Sequence, residues 1–197
     1  MPWPKPENPP PEACASGGGA LDWNLQTERL QLRPVGEDEV DVLHALWTAP
    51  AVRRHLWEDR ILRREQTRDL VMQSAFLFQE QQVGLWLARD RQDEQLVGVG
   101  GYWMFRAHHE TELLAAVAES HWYRGYGREL SAGVIRYGFE RLGFEQIRAS
   151  ADADNQASLA LLESLGFIAA AASQADGRLR KFHLPKGVYL GPQQYPA

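Results

Sequence analysis

Apolar and polar positions along the chain fall into segments that predict strands and helices. The two kinds alternate in residues 27–33, which predicts a first strand that Pro34 ends. Apolar residues recur at helical spacing in residues 38–47 and 64–81, so two amphipathic helices are expected there. Three strands are expected next, at residues 84–88, 96–105 and 112–118, with polar turns at 90–94 and 108–110 between them.

A broad apolar stripe in residues 125–142 predicts a long helix. Gly133 and Gly138 fall within it, and a glycine costs about 1 kcal/mol relative to alanine in a helix interior. A glycine inside a helical pattern usually has a packing reason. We therefore expect this helix to pack closely against a sheet at both glycines.

Shorter elements complete the chain. A strand is expected at residues 146–151 and a helix at 155–165, with Gly166 in the position of a left-handed helix cap. Two closing strands are expected at residues 167–172 and 179–184. The order of elements predicts an α/β fold with a mixed (α+β) sheet and an antiparallel centre, and not a doubly wound parallel sheet.

Composition is typical of one globular domain. The 197 residues are 44% hydrophobic and 24% charged. Residues 25–185 contain all the predicted elements and are expected to form that domain. Residues 1–24 are rich in proline and glycine and lack the apolar stretch of a signal peptide, so a flexible leader is expected, and residues 186–197 are expected to form a tail.

Charge and residue counts argue against several classes of function. The net charge of −5 disfavours general nucleic-acid binding, which needs excess lysine and arginine. The one cysteine, Cys14, excludes a disulfide within the chain and a cysteine-ligated zinc site. His108 and His109 have no third ligand in view, so no metal site is expected. No run approaches the roughly 20 apolar residues of a membrane span, so no membrane contact is expected and the cytoplasm is the expected location.

Residues 122–129, with the sequence WYRGYGRE, carry the strongest chemical signal. They follow a predicted strand and open a predicted helix, and a helix start leaves main-chain N–H groups unpaired at the positive end of its dipole. Gly125 and Gly127 allow a ligand to approach the main chain, and Arg124 and Arg128 add positive charge. The segment therefore predicts a phosphate-binding site.

Residues 154–167, with the sequence DNQASLALLESLGF, carry the second signal. Asn155 follows a predicted strand and begins a helix, so its amide and Ser158 lie on the same first turn. Ordinary helix capping is the better explanation of this pair when it is taken alone. Its position about thirty residues after the first segment favours a functional role, because the two segments then occur as a pair.

Together the two segments resemble the GNAT superfamily of acyl-CoA-dependent N-acyltransferases, and most of all its branch of ribosomal-protein N-terminal acetyltransferases. The matching features are Glu112-Leu113 on a strand, WYRGYGRE, DN followed by Ser158 and LGF, and TERLQLR at residues 27–33. The resemblance covers about residues 25–185. One departure from the family pattern is Tyr123, which stands where a glycine is usual.

The resemblance implies a sheet that splays between its fourth and fifth strands, at residues 112–118 and 146–151, with helices on its flanks. It also implies acetyl-CoA as co-substrate, with the diphosphate on the WYRGYGRE turn and the pantetheine arm paired to a strand edge. The residues expected to bind CoA are Ala116, Val117, Ala118, Arg124, Gly125, Tyr126, Gly127, Arg128, Glu129, Asn155 and Ser158.

The implied reaction is direct attack of a primary amine on the thioester, for which the amine must first lose a proton. Glu112 matches the family's frequent general base, and an ordinary strand glutamate paired with an arginine is the alternative. The N–H near Val117 is expected to stabilise the oxyanion. Ser158 is expected to protonate the leaving thiolate or else only to cap its helix. An acyl-enzyme is not expected, because Cys14 lies in the leader and a G-x-S-x-G motif is absent.

The acceptor stays open at this stage. Trp86 and Trp103, on neighbouring predicted strands, either wall the acceptor pocket or pack in the core. The acceptor is either a protein amino terminus or a small amine, and an open groove near residues 53–64 would favour a peptide. A homodimer is an assembly found in this branch. Two alternatives remain: a catalytically inactive CoA-binding module that senses CoA, and a nucleotide-phosphate binder.

Overall fold

The computed structural model describes residues 22–104, 111–170 and 178–189, together with Gly191. Its larger sheet has five antiparallel strands in chain order, each paired with the next. These strands are β1 (Leu25–Gln26), β2 (Leu30–Pro34), β3 (Leu85–Asp90), β4 (Leu96–Met104) and β5 (Thr111–Val117).

A second sheet contains three antiparallel strands in the order β6, β8, β7. They are β6 (Gln146–Asp152), β7 (Ile168–Ala169) and β8 (Leu179–Pro185). β5 and β6 are the fourth and fifth strands of the sequence prediction, and they belong to different hydrogen-bonded sheets. The predicted splay is therefore confirmed. A side-chain hydrogen bond crosses it, from the Ser150 hydroxyl on β6 to the Glu112 carboxylate on β5.

Five α-helices lie among the described residues: α1 (Val40–Thr48), α2 (Pro50–Arg53), α3 (Arg64–Gln81), α4 (Tyr126–Glu140) and α5 (Gln156–Ser164). The predictions for α1, α3, α4 and α5 agree with these bounds to within two residues. α2 was not predicted, because four residues are too few to show a helical period. Pro50 begins it, at a position where the missing N–H costs nothing.

The first predicted strand is wrong in one respect. Residues 27–33 form a turn followed by β2, and not one continuous strand. The Thr27 hydroxyl accepts a hydrogen bond of 3.0 Å from the Leu30 N–H, and the Thr27 N–H donates to the Leu30 carbonyl at 3.0 Å. Alternation of polar and apolar residues predicts a strand. It does not reveal that a side chain such as that of Thr27 forms a hydrogen bond with the nearby main chain, which favours a turn.

The glycines of α4 lie where the helix meets its neighbours. A Cβ on Gly138 would collide with the Tyr102 hydroxyl on β4, and one on Gly133 would lie 2.9 Å from Thr27 Cγ2. Close packing against the sheet is thus confirmed at Gly138, whereas Gly133 packs against the turn before β2. Gly166 has φ 82°, as the predicted left-handed cap requires.

Residues just outside both ends of the predicted domain pack against it. Trp23 packs against Phe78 at a ring distance of 5.5 Å, although it lies within the predicted leader, whose residues 1–21 are outside the described residues. Tyr189, in the predicted tail, packs on Phe139 of α4 at 4.8 Å. The predicted turn at residues 108–110 also lies outside the described residues. No helix in the described part of the chain is long and apolar enough to cross a membrane.

Candidate active site

The phosphate turn, residues 122–129, joins β5 to α4. Gly125 caps the helix with φ 80°, and the first helical hydrogen bond runs from the Glu129 N–H to the Gly125 carbonyl at 3.1 Å. Helix geometry therefore leaves the N–H groups of Tyr126 and Gly127 without a partner inside the helix. The Glu129 N–H is already bonded within α4, and the part of Glu129 in CoA binding stays a prediction.

Tyr123 shows why a glycine is usual at its position. It has φ 60°, in the left-handed region, and its side chain is 95% exposed. A tyrosine in this conformation is uncommon. It nevertheless takes the φ that a glycine takes more readily, with its ring in solvent. The turn is also fixed to the strand before it, because Trp122 Nε1 donates to the Val117 carbonyl at 2.7 Å.

A clamp from the turn before β2 supports the phosphate turn. The Glu129 carboxylate accepts hydrogen bonds from the Thr27 hydroxyl at 2.5 Å and from the Arg29 N–H and Nε at 2.7 Å each. Arg29 also donates through Nη1 to the Arg124 carbonyl at 3.0 Å. The TERL segment was predicted only as part of a family motif. The structure shows that Thr27 and Arg29 of this segment bind Glu129 in the first turn of α4.

Tyr126 is held on three sides within the turn. Its ring lies 4.2 Å from the Arg29 guanidinium and 5.4 Å from the His121 ring. Its hydroxyl donates to Asp90 Oδ2 at 2.5 Å. This hydrogen bond lowers the pKa of Asp90 and raises the pKa of Tyr126, because it stabilises the ionised carboxylate and the neutral phenol. The helix start is therefore fixed through its side chains as well as its main chain.

The strand edge beside this turn presents fewer groups than expected. The Ala118 N–H donates to the Val97 carbonyl at 2.8 Å, and a Cβ on Gly98 would collide with the Ala116 carbonyl. The main-chain groups of Ala116 and Ala118 thus point to β4. Because hydrogen-bonding direction alternates along a strand, those of Val117 point away from β4, toward β6. Of these three residues, Val117 is the one that presents its main chain to the open edge.

The second predicted segment meets the first in space. A Cβ on Gly127 would lie 3.7 Å from Val117 Cγ2 and 3.7 Å from Leu161 Cδ2, so β5, α4 and α5 converge there. Asn155 caps α5, since its side-chain oxygen accepts the Ser158 N–H at 3.1 Å. Ser158 is half-buried on the first turn of the helix. The capping role of Asn155 is therefore real, whatever else the residue does.

Glu112 lies at the other end of β5 and is only 2% exposed. It lines a pocket of about 350 Å³ together with residues of β6 and β8, among them Arg148, Lys181 and His183. The pocket opens where β5 and β6 separate, next to the hydrogen bond between Ser150 and Glu112. A buried carboxylate at the wall of a pocket that also contains charged side chains is a place where a proton can be taken up.

The two predicted tryptophans have different surroundings. Trp103 is 3% exposed and stands directly opposite Glu112 in the pairing of β4 with β5, so both side chains share one face of the sheet. Trp57 packs edge-on against Trp103 at 6.3 Å. Trp86 is 0% exposed and packs against Phe78 at 4.6 Å, which is the core position given above as its alternative.

A family model described as an acetyltransferase (GNAT) domain matches residues 29–168 of this chain. The chain belongs to the GNAT acetyltransferase family. The predicted family is thus confirmed, and with it the status of the protein as an acyltransferase enzyme.

Known proteins resemble this GNAT acetyltransferase along most of its length. An uncharacterized N-acetyltransferase of Bacillus subtilis, YoaA, is 29% identical over 164 residues, which are 83% of this chain and 89% of that protein. An acetyltransferase from Agrobacterium tumefaciens has the same fold, with a TM-score of 0.73 and 18% identity over 87% of this chain and 99% of its own. RimL, a ribosomal L7/L12 α-N-protein acetyltransferase solved in complex with coenzyme A, has a TM-score of 0.69 and 18% identity over 84% of this chain and 99% of its own.

The basic residues of the pocket in this GNAT acetyltransferase were not predicted. Arg148 on β6 stands opposite His183 on β8, and Ser150 stands opposite Lys181. A signal existed in the sequence, because residues 146–152 and 181–184 alternate polar with apolar side chains. Alternation does not reveal that the two polar faces combine, because that depends on the pairing of β6 with β8.

One further polar cluster lies beside the GNAT acetyltransferase site. His55, Asp152 and Asp154 offer ligand atoms that all lie within 4.8 Å of one another. His55 Nδ1 donates to Asp152 Oδ2 at 2.9 Å, and Arg54 Nη2 lies 3.8 Å from Asp154 Oδ2. The hydrogen bond and the cation already provide partners for both carboxylates, so the cluster joins the segment after α2 to the end of β6.

Proposed function

We propose that this GNAT acetyltransferase transfers the acetyl group of acetyl-CoA to a primary amine by direct attack in a ternary complex. One observation carries the proposal. β5 has the buried carboxylate of Glu112 near its start and the main chain of Val117 at its end, beside the phosphate turn. One strand thus connects a group that can accept a proton with a site suited to phosphate, along an edge that β6 does not cover.

Coenzyme A is proposed to lie along this edge. Its diphosphate accepts hydrogen bonds from the N–H groups of Tyr126 and Gly127, at the positive end of α4, and Arg124 and Arg128 supply positive charge. A pantetheine amide N–H donates to the Val117 carbonyl, which has a second lone pair beside the one that accepts from Trp122 Nε1. Asn155 and Ser158 flank this path from α5, which meets α4 at Gly127.

The proposed chemistry uses no covalent intermediate with the protein. The acceptor ammonium gives up a proton that a chain of ordered waters carries to Glu112, because the five residues of strand between Glu112 and Val117 span about 17 Å. Its nitrogen then attacks the thioester carbonyl. The Val117 N–H donates to the oxyanion that forms. The C–S bond then breaks, and the thiolate, with a solution pKa near ~8.5, takes a proton from Ser158 or from water. Trp103 and Trp57 are proposed to form the wall of the acceptor site. A homodimer stays a prediction.

The test combines a thiol-release assay with mass spectrometry of the acetylated amine, over small amines and amino-terminal peptides. Glu112→Gln is expected to lower kcat by about 100-fold or more, since general bases contribute rate factors of that order. Acetyl-CoA affinity should stay within about twofold by calorimetry, because the carboxylate does not touch the phosphate turn. Glu80→Gln, at an exposed position on α3, is the matched control and should change neither value.

Three outcomes separate the alternatives. Binding of CoA without acetylation of any amine would favour the inactive CoA-binding module. ATP binding as tight as CoA binding would favour the nucleotide-phosphate binder. Unchanged turnover in Glu112→Gln would remove Glu112 from the mechanism and leave the enzyme class standing.

A further inference from the structure

His55 and Asp152 form a histidine–carboxylate pair that takes no part in the steps proposed above. His55 Nδ1 donates to Asp152 Oδ2 at 2.9 Å and lies 3.8 Å from Asp154 Oδ1, and the histidine side chain is 21% exposed. A carboxylate that accepts from Nδ1 fixes the tautomer of the neutral ring and leaves the lone pair on Nε2. The same arrangement orients the general base in the catalytic triads of serine proteases.

The position of Asp152 on β6 connects this pair to the buried carboxylate of the site. Asp152 and Ser150 extend from the same face of β6, because residues two apart on a strand share a face, and the buried Ala151 between them faces the other way. The Ser150 hydroxyl donates to the Glu112 carboxylate. His55 is therefore held on the face of β6 that also meets Glu112.

The segment that carries His55 reaches the same region by a second route. His55 lies just after α2, and Trp57, two residues further on, packs edge-on against Trp103 at 6.3 Å. Trp103 stands directly opposite Glu112 in the pairing of β4 with β5. The histidine thus borders the proposed acceptor site from the segment that supplies one of its tryptophan walls.

This pair lies nearer than Glu112 to the proposed position of the thioester. The helix crossover from β5 to β6 joins strands that run parallel, and α5, which follows β6, meets Gly127 beside Val117. Ser150 contacts Glu112 at the start of β5, so Asp152 lies two residues, or about 7 Å, further toward the Val117 end. A proton acceptor held there shortens the path of about 17 Å along which a proton must otherwise travel to Glu112.

We propose that His55 is a catalytic residue that accepts the proton of the acceptor ammonium at Nε2. The inference rests on the proposed function. An N–H bond of the ammonium breaks, its proton moves to Nε2, and the electron pair left on the nitrogen forms the bond to the thioester carbon. The Asp152 carboxylate stabilises the imidazolium that results, and the ordered waters carry the proton on to Glu112.

His55→Asn separates this role from a structural one. The asparagine Nδ2 can replace Nδ1 as the donor to Asp152, but the shorter side chain has no atom at the position of Nε2 that can take a proton. We expect kcat to fall by about 100-fold, with unchanged CoA affinity by calorimetry and an unchanged thermal unfolding midpoint. Full activity in this variant would overturn the inference.

His44→Asn is the matched control. His44, on α1, is also half-buried, and its Nδ1 lies 3.1 Å from Thr67 Oγ1, so it has a comparable hydrogen bond at a position away from Glu112. Its replacement should leave kcat unchanged. A loss of kcat as large as that of His55→Asn would show that any such histidine contact supports activity, and would contradict the catalytic role.

Asp152 is a positioning residue in this proposal, and its variant gives a second readout. Asp152→Asn removes the negative charge that stabilises the imidazolium, so kcat should fall by at least about tenfold while KM for the acceptor stays unchanged. A rise in KM with unchanged kcat would mean that the pair only shapes the acceptor site, which would overturn the inference.

Nuclear magnetic resonance of the ¹⁵N-labelled wild-type protein tests the pair without any variant. The neutral ring of His55 should carry its proton on Nδ1 and none on Nε2, and a proton on Nε2 would overturn the inference even if the variants failed to fold. If the wild-type protein acetylates no amine, the proposed function fails and the role of His55 fails with it. If the wild-type protein and His55→Asn are equally active, the role of His55 alone is wrong.

Discussion

Arg29 and Glu129 are 100 residues apart in the chain and form a two-point contact, in which the main-chain N–H and the Nε of Arg29 each lie 2.7 Å from a carboxylate oxygen of Glu129. Glu129 lies in the first turn of α4, and the Arg29 guanidinium also holds the Arg124 carbonyl. The turn before β2 therefore determines where the unpaired amides of the phosphate turn point. Arg29 acts on the proposed CoA site by positioning, through Glu129 and Arg124.

Replacing Arg29 should loosen the phosphate turn. Arg29→Ala is expected to weaken CoA binding by about tenfold and to lower the free energy of unfolding by about 1–3 kcal/mol, because the buried Glu129 carboxylate loses the charged donor Nε. Calorimetry and denaturant unfolding measure the two effects. Arg33→Gln, in the same TERLQLR segment but exposed, is the control and should change neither. If Arg29→Ala binds CoA as tightly as the wild-type protein, the positioning role is wrong.

Gly125 should not tolerate a side chain. With φ 80°, a Cβ there is strained, and it would lie 3.3 Å from Arg29 Nη2. Gly125→Ala is expected to lower the free energy of unfolding by about 1–2 kcal/mol and to weaken CoA binding at the same time. Gly187→Ala is the matched control, since a Cβ on Gly187 meets nothing within 4 Å. Comparable losses in the two variants would show that the turn is not specially constrained.

The hydrogen bond from Tyr126 to Asp90 should make stability depend on pH at both extremes. The pKa of Asp90 is lowered, so its contribution is present above about pH 4 and is lost as the pH falls through the folded value. The pKa of Tyr126 is raised, so its contribution is present below about pH 10 and is lost as the pH rises through the folded value.

Tyr126→Phe tests this dependence. Between about pH 5 and pH 9 the variant should be less stable than the wild-type protein by about 1 kcal/mol, and the difference should shrink at pH 3. Urea unfolding at pH 7 and pH 3 measures it. A difference that stays the same at both values would mean that lost packing, and not the hydrogen bond to an ionised Asp90, explains the effect.

Asn155 permits a separation of capping from cofactor contact. Asn155→Ala should cost about 1 kcal/mol of stability, because the Ser158 N–H loses its acceptor. Asn155→Asp should keep that stability, since aspartate caps helices as well as asparagine does. A loss of CoA affinity in Asn155→Asp at unchanged stability would assign a cofactor contact to the side chain. Unchanged affinity in both variants would leave Asn155 as a cap alone.

Local patterns predicted much of the fold because their causes are local. The period of apolar residues predicted α3 with its observed bounds. Gly166 predicted the left-handed cap at the end of α5. The same reasoning missed α2, which is too short for a period, and merged the turn at Thr27 with β2. In both places a few side-chain or backbone bonds outweigh the pattern.

The sequence by itself determined the family, the alternation of elements and the place of the phosphate turn, because glycines, charges and periodicity act over a few neighbouring residues. Tertiary structure decided which side chains meet. The pairing of β6 with β8 places Arg148, Lys181 and His183 on one face of the sheet. The turn before β2 places Arg29 in contact with Glu129, in the first turn of α4. Contacts across a hundred residues depend on how strands register and helices pack, and a local pattern carries no information about that register.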